Sequence, residues 1–137
     1  MPGQYEGGCH CGAVRYTCTK EPELTFYCHC HDCQSTTGSP FSMEMMIDRP
    51  SFNIHGPLET YVVTGDSGKP VTRCFCSACG SGIYLDCEAD PDYIFLKVGS
   101  LDDASWVTPQ MHIYTGAKQP WVRIDDGLPQ YEKEPDM

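Results

Sequence analysis

The chain lacks an apolar run approaching the roughly 20 residues a membrane helix requires, which excludes a helical membrane anchor as its organising element. It is also short of positive charge: nine Lys and Arg stand against nineteen Asp and Glu, for a formal charge of −10. Nucleic-acid binding relies on a surplus or stripe of basic side chains, so that class of partner is excluded as well. The opening residues Met1 to Glu6 show neither the basic nor the apolar segment of a secretory signal, and the expected location is the cytoplasm. Length is limited too. At 137 residues the chain suits one domain, expected over 1–137, with 126–137 as a largely irregular acidic tail.

Cysteine, by contrast, is abundant. Ten thiols in a chain without an export signal point to metal binding or redox chemistry rather than a disulfide framework. Seven of them fall in three groups, Cys9/Cys11, Cys28/Cys30/Cys33 and Cys76/Cys79, and cysteines two or three apart suit a shared metal better than a bond to each other. The densest stretch is Tyr27-Cys28-His29-Cys30-His31-Asp32-Cys33-Gln34. Its three sulfurs are one short of a closed tetrahedron. Structural zinc sites close with four protein ligands, whereas catalytic ones keep a position for water or substrate, so this stretch is the candidate reactive centre.

Cys76-Ser77-Ala78-Cys79-Gly80 reads as a zinc knuckle flanked by strands, not as a redox pair at a helix start. Spacing leaves the pairing of clusters open, because Cys74 is a plausible fourth ligand for either metal. Cys18 is expected to pack as a small hydrophobe, and Met43, Met45 and Met46 as core filler. His112 is expected in a core or interface, and His10, His29 and His31 to face solvent or to support ligands. Arg49, Lys69 and Arg73 are the basic residues nearest the motifs and the candidates to meet a carboxylate.

Alternation and turn residues predict strands over 14–18, 24–27, 41–47, 51–54, 58–63, 71–75, 83–87, 93–98, 111–115 and 121–124. Residues 93–98 should be the most buried strand, 100–106 the best place for a helical turn, and the hydroxyl-rich Gln34–Phe41 an irregular loop that could line a pocket.

Four signatures occur in order: Cys9-His10-Cys11-Gly12 with its preceding glycines; Cys28-His29-Cys30 to Cys33-Gln34 followed by Thr37-Gly38-Ser39-Pro40-Phe41; Phe75-Cys76 to Cys79-Gly80; and His112 to Tyr114, Lys118, Pro120-Trp121 and Asp125-Asp126-Gly127-Leu128-Pro129. From Gly8 to Tyr131 the chain resembles the glutathione-dependent formaldehyde-activating enzyme family, the GFA or CENP-V/GFA domain. The resemblance implies an all-β Mss4-like fold, a β-tent of two or more antiparallel sheets stapled by two Zn²⁺ ions. It implies that Cys9, Cys11, Cys76 and Cys79 hold a structural zinc and Cys28, Cys30 and Cys33 a catalytic one. The implied activity is that of a carbon-sulfur lyase, forming or breaking a thiol adduct such as S-hydroxymethylglutathione, with glutathione as the small-molecule partner. Two other readings of the same residues are a non-catalytic Mss4-like zinc-binding module and a labile zinc or redox sensor.

Overall fold

Strands dominate because short alternating apolar segments are separated by Gly, Pro and Asp turns, leaving little chain with helical periodicity. The computed structural model describes residues 3–135. Among these, the order is β1 (Tyr5–Gly8), β2 (Arg15–Cys18), β3 (Leu24–Cys28), α1 (His31–Thr37), β4 (Ser42–Asp48), β5 (Phe52–His55), β6 (Leu58–Thr64), β7 (Pro70–Cys76), β8 (Gly82–Cys87), β9 (Tyr93–Lys97) and β10 (Met111–Ile113). Single 3-10 turns lie at Arg49–Ser51, Val98–Ser100 and Thr115–Ala117. The end residues of the predicted tail, Asp136 and Met137, lie outside the described residues.

The strands make two sheets, a small one ordered β1-β2-β5 and a large one ordered β10-β3-β4-β9-β8-β7-β6. All named pairings are antiparallel except β10 with β3. The all-β architecture with more than one sheet is therefore as expected. Tyr5, Val14, Tyr16 and Cys18 from the small-sheet side pack against Met45, Ile47, Ile83, Ile94 and Leu96 of the large sheet. Each fully buried aliphatic side chain there contributes on the order of 1.5–3 kcal/mol. Cys18 and Met45 are core residues with no exposed surface, as their patterning suggested.

The other face of the large sheet positions the site. Cross-strand partners run Phe26, Glu44 and Lys97 in one row and Met46, Phe95, Leu85 and Arg73 in the next. A second apolar cluster of Phe26, Cys28, Cys33 and Ile113 covers one end of this face. Residues 129–133 lie along the β10 segment, with His112 N–H donating to the Pro129 carbonyl and Tyr131 N–H to that of His112.

Several predicted elements differ. Residues 34–37 belong to α1 rather than a loop: the Cys30 sulfur caps the helix by accepting from Cys33 N–H at 3.2 Å. Within it the Ser35, Thr36 and Thr37 hydroxyls donate to carbonyls four residues back, at 3.0, 2.7 and 2.6 Å. Hydroxyls bonded in this way stop competing with the helix. Helical character expected at 100–106 falls earlier, at Val98–Ser100, since Asp103 accepts from both the backbone and the hydroxyl of Ser105 and holds a turn there. Residues 121–124 form no strand, and Trp121 is exposed. β9 is not the most buried strand either. Its burial alternates because Phe95 faces a cavity, whereas β4 buries Met45 and Ile47 completely and also encloses Glu44 and Ser42.

Candidate metal and thiol site

The first cluster forms where the two sheets meet. Cys9 follows β1 and Cys11 sits in the turn into β2, while Cys76 ends β7 and Cys79 sits in the turn into β8. The turns are built alike: Gly12 N–H donates to the Cys9 carbonyl at 3.2 Å and Gly80 N–H to that of Cys76 at 2.8 Å. Both glycines adopt φ near +80°, at 83° and 80°, a backbone that a side chain would strain. Backbone N–H groups of Val14 and Ala78 point at the Cys9 and Cys76 sulfurs, 3.2 and 3.4 Å away.

All four sulfurs lie within 4.8 Å of one another. A tetrahedron of metal–sulfur bonds near 2.3 Å has edges of about 3.8 Å. The Cys9–Cys11 and Cys11–Cys76 separations are 3.5 and 3.9 Å, too long for a disulfide and well matched to that edge. The donor set thus fits a closed thiolate metal site. Cys74 joins neither cluster: a register shift between Cys74 and Phe75 re-aims the strand, and burial raises the Cys74 thiol opposite Tyr84.

The second cluster comes from one short segment. Cys28 ends β3, Cys30 caps α1, and Cys33 lies in its first turn, with the three sulfurs again within 4.8 Å of one another. Among the described residues no fourth His, Cys, Asp or Glu atom completes this group. Three thiols this close, two of them buried, cannot all ionise unless a cation joins them. Hydrogen bonds from Cys28 and Cys33 hold the Cys30 thiol down at about 3, while the bonds Cys28 makes to Cys30 and Cys33 push it far up.

These cysteines line a cavity of about 510 Å³ together with Phe26, Phe95 and Glu44. Glu44 accepts from Lys97 Nζ at 3.3 Å and lies 3.7 Å from the Cys33 sulfur. Burial pushes its carboxyl up to about 7, against the pull of Lys97. A second cavity of about 1100 Å³ reaches from Thr36 and Thr37 to Cys9 and His10, and Arg73 lines both.

The histidines divide. His10 and His31 are exposed. His29 is fully buried, and its Nε2 pairs with His112 Nδ1 at 2.9 Å, so it supports the segment from behind rather than touching a sulfur. His112 Nε2 in turn meets Asp126 Oδ2 at 2.7 Å. Sequence reasoning missed this Asp126–His112–His29 chain; its members are scattered, and the conjunction of His112 with the Asp125-Asp126-Gly127 motif was the available signal. Gln34, also overlooked, donates to the His29 and Ala117 carbonyls and ties α1 to the chain beyond β10. Of the three basic candidates, Arg49 is engaged by Asp86 and Lys69 is exposed in the turn before β7, leaving Arg73 beside the cysteines.

Fold and site together define an all-β protein with two cysteine clusters that could hold metal ions, one of them opening on a cavity. A family model described as glutathione-dependent formaldehyde-activating enzyme matches residues 4–117, and the chain belongs to this family. It is 27% identical over 126 residues to a putative glutathione-dependent formaldehyde-activating enzyme of Halomonas elongata, covering 88% of this chain and 80% of that one. It is 33% identical over 86 residues to an uncharacterised lyase of Schizosaccharomyces pombe, covering 62% of this chain and 58% of the relative. A crystal structure of a Rhodobacter sphaeroides protein superposes with a TM-score of 0.55 at 22% identity, over 76% of this chain and 91% of the other, a likeness of fold. Among the described residues no helix is long and apolar enough to cross a membrane.

Proposed function

We propose that the protein is a zinc-dependent carbon-sulfur lyase of the cytoplasm, working as one domain, that forms or breaks the adduct of a thiol such as glutathione with formaldehyde. Cys9, Cys11, Cys76 and Cys79 would hold a structural zinc, and Cys28, Cys30 and Cys33 a second zinc at the reacting centre. The observation that carries this reading is the second cluster: three converging sulfurs on a cavity wall, with no fourth protein donor among the described residues. When bound, zinc supplies Lewis acidity that favours the thiolate form of an incoming thiol. In the forward direction the sulfur–carbon bond forms and the carbonyl π bond breaks, with the thiol proton ending on the new hydroxyl and no change in oxidation state. Phe26 and Phe95 give the cavity an apolar lining, and Glu44, paired with Lys97 behind it, gives it a polar one.

Exchange between glutathione with formaldehyde and S-hydroxymethylglutathione, followed by NMR line shapes or saturation transfer, tests the reading. The expected result is exchange faster than the spontaneous rate in the presence of the zinc-loaded protein, and the spontaneous rate with Cys33→Ser. No acceleration by the native protein would falsify the activity.

A further inference from the structure

Arg73 differs from the other arginines in how its charge is met. Arg15 and Arg49 are surface residues paired with Asp102 and Asp86, and Arg123 is exposed to solvent. Arg73 is only 8% exposed, yet among the described residues no carboxylate lies within 4.0 Å of its guanidinium. Its Nη1 donates to Thr36 Oγ1 at 3.1 Å, and its Nε is buried with no partner at all. An enclosed guanidinium without an anion is costly, and its planar fork suits a carboxylate. Its position is equally specific. Thr36 follows Cys33 by three residues on α1, so the two side chains share one helix face with Cβ atoms about 5–6 Å apart. The nearby anion, Glu44, is already taken by Lys97.

We propose that Arg73 is the anchor for a carboxylate of the thiol substrate, so that the site selects carboxylate-bearing thiols over neutral ones. This rests on the thiol-adduct reading above. Thr36 holds one arm of the guanidinium, and Arg73 lines the cavity that Cys28, Cys30 and Cys33 share. Sulfur and carboxylate of one small molecule are then fixed at two points, which orients the reacting atom.

Calorimetric titration of the zinc-loaded protein with glutathione and with its diethyl ester, in wild type and Arg73→Gln, tests the proposal as a two-by-two cycle. Arg73→Gln should weaken glutathione by about tenfold or more, the scale of a charge-assisted hydrogen bond. The diester should change by less than about twofold, within ordinary additivity. Arg73→Lys keeps the charge and loses the fork; it should also weaken glutathione selectively, and it serves as the test if Arg73→Gln does not fold. Equal losses for both ligands, or none for either, overturn the anchor while leaving the thiol reading intact. So does zinc loss in Arg73→Gln that Arg73→Lys restores, since Arg73 would then only balance charge at the metal. Failure of both ligands to bind the wild type overturns the thiol reading and the anchor with it.

Discussion

The two cysteine clusters contain the same donor atom and differ in what they tie together. Cys9 and Cys11 belong to the hairpin of the small sheet, Cys76 and Cys79 to a hairpin of the large one, and Cys11 and Cys76 are 65 residues apart. A metal there closes a long loop and fixes one sheet to the other. Cys28, Cys30 and Cys33 span one β3–α1 junction that backbone hydrogen bonds already shape. A metal there closes a loop of only a few residues. Loop-closure entropy grows as the logarithm of length, so the long-range cluster removes roughly 2 kcal/mol more chain entropy than the local one. Under the proposed function, this difference makes one cluster part of the fold and frees the other for chemistry.

The largest effect should follow from breaking the long-range cluster. Cys79→Ser removes one of four donors, and because metal binding to such a site is itself folding free energy, on the order of 10 kcal/mol in small zinc modules, the domain should lose its cooperative thermal transition. Circular dichroism melting checks this. A native-like melt would show that the sheets hold together without the metal. Next in size is Cys33→Ser, which should keep a cooperative melt while the zinc content falls from two ions to one per chain and catalysed exchange disappears. Mass spectrometry under native conditions reads the stoichiometry directly. If Cys33→Ser unfolds as Cys79→Ser does, the contrast between the clusters collapses.

The sequence carried this contrast only partly. Alternation in Val14-Arg15-Tyr16-Thr17-Cys18 and in the strands from Phe41 to Cys87 was enough to place most of both sheets. Gly7-Gly8 hid β1, since glycine has no side chain to alternate. The hydroxyl run of α1 read as a loop because Ser and Thr favour helices only when their hydroxyls are bonded within them, as they are here. Cluster membership could not be read from spacing, since Cys74 and Cys76 look equivalent until the register shift between Cys74 and Phe75 separates them. Arg73 was legible as a basic residue near a motif, but not as a buried one: its burial follows from cross-strand pairing with Leu85 and from contact with an α1 the sequence did not announce.

The smallest effect tests whether the local cluster is held by side chains rather than by its metal. Gln34 donates to the His29 carbonyl at 2.7 Å and the Ala117 carbonyl at 3.0 Å, and its own carbonyl accepts from Gln119 at 2.9 Å. Gln34→Ala leaves those partners to water, at a net cost of about 1–2 kcal/mol. The melt should therefore stay cooperative and shift down by a few degrees, about 3–6 °C for a domain of this size. The sharper readout is metal release to a chelator. Loosening the link between α1 and Ala117 should speed loss of the ion held by Cys28, Cys30 and Cys33 and leave release from Cys9, Cys11, Cys76 and Cys79 at the wild-type rate, because that cluster shares no hydrogen bond with Gln34. Equal acceleration of both would mean that the clusters open together, and that the division between a stapling site and a working site does not extend to their dynamics.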